Sequence, residues 1–123
     1  MSATLAGPSF IALQVRDLEA AAAFCERHLG LRRAAVSPPH AVVFDTRPVP
    51  FAVREPLPGV DLAETTRPGL GVVLWFPTSD AQQLHDQLTA AGVKILSPIE
   101  DSPFGPKFSF EGPEGYTLTA HGG

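Results

Sequence analysis

The imidazole and thiol side chains are the first candidates for chemistry in this sequence. It contains four histidines and one cysteine. Imidazole binds divalent ions or transfers protons near neutral pH, and a thiolate is a nucleophile. His28 and His85 lie within helical patterns, where they are expected to be surface residues, and His40 follows two prolines in a turn. Cys25 lies on the apolar stripe of the first helical pattern, so it is expected to be a small buried hydrophobic side chain.

A divalent metal site is one function that the histidines leave open. His121 alternates with Thr117 and Thr119 near the end of the chain, so the three side chains share one face of a predicted strand. If the proline-rich strand near Glu55 slips in register, Glu55, His121 and water could hold an ion. That arrangement would support metal-dependent catalysis.

Composition limits the class of protein. The chain has 123 residues, 44% of them hydrophobic, and a net charge of −4. It can therefore bury one core as a single domain, 1–123, and it has no basic stripe for nucleic acid. The charge mildly favours a cationic ligand. No apolar run approaches the roughly 20 residues of a membrane helix, no signal-peptide layout is present, and a single cysteine suits a reducing compartment, so a cytoplasmic protein is expected.

The first half of the chain reads as strand, helix and three strands. In PSFIALQVRD, residues 8–17, apolar side chains alternate at the period of a strand. Asp17 is a good N-cap, and Gly30 is well placed to end the helix that follows. Short strands are predicted over 31–36, 41–45 and 50–54.

The second half repeats this order after a connection rich in proline and polar residues. LGVVLWF predicts a strand, Ser79 with Gln82 matches a capping box, and Gly92 ends the second helix. Strands near 93–97, 107–111 and 115–120 follow. Aligning the halves places Phe10 opposite Gly71. We therefore predict an α+β fold of two tandem βαβββ modules, 8–55 and 69–121, joined by a linker over 56–68, with a curved, cup-like mixed sheet and helices outside.

A ligand site is predicted on the sheet faces turned away from the helices. Trp75, the only tryptophan, offers a flat stacking surface and one hydrogen-bond donor. Gln14 is the polar side chain expected to orient a ligand. Alternatively, Trp75 and Phe10 fill the cup as a second core. The predicted ligand-binding residues are Phe10, Ala12, Gln14, Val73, Trp75, Phe104, Thr117 and Thr119.

The sequence resembles the vicinal oxygen chelate superfamily, which includes glyoxalase I, extradiol dioxygenases, fosfomycin-modifying enzymes and bleomycin-resistance proteins. The resemblance covers nearly the whole chain and rests on LQVRDLEAAAAFCERHLGL and on SPFGPKFSFEGPEGYTLT. In the second stretch, Gly112-Pro113-Glu114-Gly115 is similar to the family turn before the last strand, with glycine in place of the usual aspartate.

The resemblance also implies where metal ligands would lie. The corresponding positions are Phe10, Ala52, Gly71 and Thr119, none of which is a metal ligand. The resemblance therefore implies no metal, no cofactor and no catalytic residue. It favours a homodimeric binding protein, like the bleomycin-resistance branch, that sequesters a flat small molecule such as an antibiotic. The alternatives are a metal-dependent glyoxalase- or dioxygenase-type enzyme with displaced ligands, and a purely structural or regulatory dimer.

Overall fold

The computed structural model describes residues 3–123, and the chain divides into two compact units between Val60 and Asp61. The first unit contains a three-stranded mixed sheet and one helix. In this sheet the third strand lies in the middle, parallel to the first strand and antiparallel to the second. Its elements are β1 (Ile11–Gln14), α1 (Leu18–Leu29), β2 (Ala41–Phe44) and β3 (Phe51–Arg54).

Local chemistry fixes the ends of α1. The Asp17 carboxylate accepts a hydrogen bond from the backbone N–H of Ala20 at 3.0 Å, which satisfies one of the free donors of the first turn. Gly30 follows the helix in the left-handed conformation, with φ 69°. Both predicted ends of this helix are therefore confirmed.

The core of the first unit lies on one face of its sheet. Leu13, Phe51 and Val53 are buried on this face, and Val42 and Phe44 of β2 pair with the β3 residues. Because α1 lies against β2 and β3 and buries Ala21, Ala22 and Cys25, the apolar stripe of the helix covers this face. The opposite face carries Ala12, Gln14 and Ala52.

The predicted strand over 31–36 is wrong in extent. Only Arg33 forms a bridge, to Phe44. The segment stays beside β2 through two backbone hydrogen bonds, from Ala34 to Val43 and from Asp45 to Arg32, both 2.8 Å. The backbone N–H of Val43 donates instead to the Ser37 hydroxyl at 3.0 Å. A side chain thus takes one hydrogen bond of the strand ladder, and the following prolines have no N–H to continue it.

The second unit contains a four-stranded mixed sheet and one α-helix. Numbered along the chain, its four strands lie in the order first, fourth, third, second. The first unit has the same order if the segment around Arg33, which bridges to Phe44, is counted as its second strand. A short 3₁₀ turn, Leu62–Glu64, lies in the predicted connection. The other elements are β4 (Leu74–Pro77), α2 (Ala81–Ala90), β5 (Ile95–Glu100), β6 (Lys107–Glu111) and β7 (Thr117–His121).

The predicted starts of the first strand and of the helix in the second unit are wrong. Gly69 and Gly71 have positive φ angles of 70° and 88° and belong to a turn closed by a 2.9 Å hydrogen bond from Val72 to Gly69, so the strand begins later than LGVVLWF predicts. Asp80, rather than Ser79, caps α2, because its carboxylate accepts from the Gln83 N–H at 3.0 Å. Aligning the caps Asp17 and Asp80 places Val73, rather than Gly71, opposite Phe10.

The end of β7 is held against the start of α2. Thr78 donates its backbone N–H to the His121 carbonyl at 2.8 Å, and the Gly122 carbonyl accepts from Ala81 at 3.0 Å. Gly122 has φ 130°, and a Cβ atom there would lie 2.1 Å from the Thr78 carbonyl oxygen. Glycine is therefore required where the chain passes this backbone.

These elements form an α+β fold with two open mixed sheets, as the sequence predicts for the fold class. Within residues 3–123, neither helix is long and apolar enough to cross a membrane.

Candidate functional site

The second sheet has one face packed on α2 and one face without a helix. Phe108, Phe110 and Leu118 are buried on the packed face, and His85 of α2 meets Phe108 edge-on at 5.2 Å between ring centroids. Alternation and strand register place the remaining side chains on the other face, which we call the open face. It carries Trp75, Pro77, Ser97, Glu100, Lys107, Ser109, Glu111, Thr117, Thr119 and His121.

Three rings meet at one end of the open face. The Trp75 ring centroid lies 6.0 Å from that of Phe104 and 5.7 Å from that of His121, and the Phe104 and His121 centroids are 6.2 Å apart. Trp75 is nevertheless 46% exposed and Phe104 is 65% exposed. The rings therefore support one another while leaving aromatic surface available for stacking.

Lys107 brings a cation to the same rings. Its Nζ lies 5.9 Å from the Trp75 ring centroid and donates to Glu100 Oε1 at 2.7 Å. Lys107 is the direct cross-strand partner of His121, so their side chains leave the sheet side by side. We call Trp75, Phe104, Lys107 and His121 the Trp75 cluster.

A compact turn positions Phe104. The Ser102 hydroxyl accepts from the Phe104 N–H at 3.1 Å and donates to the Gly105 carbonyl at 2.6 Å. Gly105 has φ 89°, which favours glycine at this position. The Phe104 carbonyl lies 3.2 Å from His121 Nδ1, so the turn is tied to the last strand.

The predicted site residues Thr117 and Thr119 differ in exposure. Thr119 pairs with Trp75 in register but is only 2% exposed, and its hydroxyl is hydrogen-bonded to that of Ser109 at 2.6 Å. Thr117 is half-buried opposite Glu111. Val73 lies just before β4 and two residues from Trp75, and it is 45% exposed.

The first unit also presents its predicted site residues on the face away from its core. Phe10 is 49% exposed, just before β1, and Ala12 is exposed. Gln14 Oε1 accepts a hydrogen bond from the Leu57 N–H at 2.8 Å. Gln14 therefore also anchors the segment that follows β3.

The positions of the family's metal ligands do not fit a metal ion. Phe10, Ala52 and Val73 have no donor atom, and the Thr119 hydroxyl is engaged by Ser109. The Glu55 carboxylate is hydrogen-bonded to His40 Nδ1 at 2.6 Å. Throughout residues 3–123, no three His, Cys, Asp or Glu side chains are grouped so that they could hold an ion.

Cys25 is fully buried in the first unit, at 0% exposure. Burial, and to a lesser extent the nearby Glu26 carboxylate, raises the pKa of its thiol to about 12. The thiol is therefore protonated near neutral pH, which is unsuited to nucleophilic catalysis.

The sequence pattern pointed to Trp75 and Phe104 but did not assign Lys107 to the site, and it assigned His121 only to the alternative metal site. A usable signal was present in both strands. In KFSFE, residues 107–111, Lys107 alternates with buried phenylalanines, and His121 follows Thr117 and Thr119 at the same parity.

Matched strand orders and two open mixed sheets, each with one helix, define a small α+β protein built from two similar units. The chain belongs to the Glyoxalase/Bleomycin resistance protein/Dioxygenase superfamily, whose family model matches residues 7–119. This confirms the family resemblance. No curated protein sequence matches the chain.

Solved structures share the fold at low sequence identity. A glyoxalase-related enzyme from Fulvimarina pelagi is 24% identical, with a TM-score of 0.73 over 94% of this chain and 87% of that one. TnmS3, an antibiotic binding protein from Streptomyces sp. CB03234, is 19% identical, with a TM-score of 0.73 over 98% of both chains. A lactoylglutathione lyase from Agrobacterium tumefaciens is 18% identical, with a TM-score of 0.70 over 97% and 95%.

Proposed function

We propose that this protein binds a flat small molecule, such as an antibiotic or another natural product, without a metal and without transforming it. The exposed Trp75 cluster on the open face is the observation that carries the proposal. Exposed aromatic surface next to a few polar groups is typical of small-molecule sites. The similarity in fold to an antibiotic binding protein is compatible with this role.

The proposed contacts are aromatic and aliphatic with few polar atoms. Trp75 and Phe104 would stack against the ligand, and the small or apolar side chains would exclude water from it. In the second unit, the residues proposed to contact the ligand are Val73, Trp75, Phe104 and Thr117. For the first unit, contact by Phe10, Ala12 and Gln14 stays a prediction from the sequence.

We also propose that the protein acts in the cytoplasm as a homodimer. Several large apolar side chains are exposed, among them Leu5 at 98%, Val36 at 81% and Leu70 at 72%. The strands β1 and β4 each end their own sheet, and such edges are common sites of pairing. Association would remove apolar surface and sheet edges from water.

A metal-dependent enzyme is the competing function, and one observation favours it. His40 and Glu55 form a 2.6 Å imidazole–carboxylate pair at the surface, where an ion could recruit both side chains. The backbone of His40 is left-handed, with φ 66°. Two side chains and water make an incomplete site, so we place this function second.

Fluorescence tests the binding proposal directly, because Trp75 is the only tryptophan. We expect saturable quenching by planar probes such as proflavine or phenazine after correction for absorbance. Calorimetry with the same probes should show about tenfold weaker binding for Trp75→Ala, the loss expected for one aromatic contact and its buried area. Val60→Ala, which removes a partly exposed apolar side chain outside the sheets, is the control. Equal affinities for all three proteins would contradict the proposal.

Metal analysis separates the two functions. We expect the purified protein to contain far less than one ion per chain, and added nickel, zinc, manganese or iron to leave its melting temperature unchanged. An ion at one per chain that is lost in Glu55→Gln, together with turnover of a substrate, would support the enzyme instead.

A further inference from the structure

The hydrogen-bonding state of His121 can be read from its partner. Its Nδ1 lies 3.2 Å from the Phe104 carbonyl oxygen. A carbonyl oxygen only accepts, so Nδ1 carries the proton in this contact. In the neutral ring, Nε2 then has the lone pair and accepts hydrogen bonds. The turn that holds Phe104 therefore makes His121 an acceptor towards a ligand.

Lys107 is a donor beside this acceptor. An ammonium group has three N–H donors, and one of them is used by Glu100 at 2.7 Å. The Lys107 side chain is 25% exposed. Lys107 and His121 are cross-strand partners, so their side chains leave the sheet as neighbours, with Cβ atoms about 5 Å apart.

Both groups lie next to the same stacking surface. The Trp75 ring centroid is 5.7 Å from that of His121 and 5.9 Å from Lys107 Nζ. A ring stacked on Trp75 would therefore bring a substituent on its edge to the donor and the acceptor together.

We propose that the ligand of this site is a hydroxylated aromatic compound. This inference rests on the proposed binding function. The ligand ring stacks on Trp75, its phenolic O–H donates to His121 Nε2, and its oxygen accepts from Lys107 Nζ. A hydroxyl group has both a donor and acceptor lone pairs, so it satisfies both side chains at once.

Other substituents satisfy only part of this arrangement. A carboxylate pairs with Lys107 but meets the lone pair of His121 and the charge of Glu100. An ether accepts from Lys107 but leaves His121 without a donor. A quaternary ammonium meets the Lys107 charge and donates no hydrogen bond, although the net charge of the chain favours cations in general.

Four matched probes test the substituent. Naphthalene bearing a hydroxyl, a methoxy, a carboxylate or a trimethylammonium group at the same ring carbon is titrated calorimetrically at about pH 8, where imidazole is usually neutral. We expect the hydroxyl probe to bind about fivefold tighter than the methoxy probe, the ratio that about one net hydrogen bond gives.

Variants assign the preference to the two side chains. In His121→Phe and in Lys107→Met the ratio between hydroxyl and methoxy probes should fall below about twofold, while binding of the methoxy probe persists. His121→Gln keeps an acceptor in its amide oxygen, so it should retain part of the preference for the hydroxyl probe. This variant also provides a test if His121→Phe fails to fold. The controls are His28→Phe and Lys94→Met, which change the same residue types outside the Trp75 cluster.

The outcomes separate this inference from the binding function. Equal binding of all four probes, or tightest binding of the trimethylammonium probe, overturns the hydroxyl assignment and leaves the binding function standing. A ratio that survives in both His121→Phe and Lys107→Met also overturns it. If none of the four probes binds the parent protein, both proposals fail for this face.

Discussion

At the scale of single residues, strand alternation predicts which side chains share a face, and little more. It placed Thr117, Thr119 and His121 on one face, in agreement with the register of the strands. It could not predict that Thr119 is 2% exposed or that Phe104 approaches Trp75. Those facts depend on distances between strands and on the turn over 102–105, which no local pattern encodes.

Cys25 supplies a test at this scale. Because burial raises the pKa of its thiol to about 12, we expect a disulfide reagent at about pH 8 to leave the folded protein unlabelled and to label the unfolded chain fully. In the unfolded chain the thiol ionises at about pH 9.0. The contribution of Cys25 therefore lowers the free energy of unfolding as the pH rises from there towards 12. Rapid labelling without denaturant would show that Cys25 is accessible.

At the scale of elements, the helices were predicted better than the strands. The ends of α1 follow from Asp17 and Gly30, which act within one turn of the chain. The strand predicted over 31–36 failed because the Ser37 hydroxyl takes the N–H of Val43, a contact across six residues. The prediction for β4 started the strand too early. The valines after Gly71 favour a strand, whereas Gly69 and Gly71 form a turn.

The cap of α2 supplies a test at this scale. Asp80→Ala should lower the free energy of unfolding by about 1 kcal/mol, since it removes the acceptor for the Gln83 N–H. Ser79→Ala should change it by less than about 0.5 kcal/mol, as expected for a surface position without a cap. Urea unfolding of both variants measures the difference. A larger loss of unfolding free energy for Ser79→Ala would show that Ser79 caps the helix, as the capping-box pattern predicts.

At the scale of the whole molecule, the sequence carried the fold class and the superfamily. Both depend on the order and spacing of many elements, so a boundary error of two residues at Gly71 does not affect them. That error does affect the residue placed opposite Phe10, which is Val73. Functional positions are therefore less secure than the fold when they are read from one sequence, because a ligand position is a single residue.

Association supplies a test at this scale. We expect light scattering after size-exclusion chromatography to give about twice the 13.0 kDa of one chain, since pairing would bury the exposed apolar side chains described above. The mass should stay constant on tenfold dilution if the dimer is tight. A mass of 13.0 kDa at every concentration would refute the homodimer.

Three members of the Trp75 cluster belong to strands, and Phe104 alone belongs to a turn. Pairing of the strands therefore sets the face and the spacing from which the indole, the ammonium and the imidazole project. Evolution can alter the chemistry of the cluster only by exchanging residues inside a paired sheet. It can reposition the Phe104 ring against the indole by lengthening or shortening one surface turn, at little cost to the scaffold.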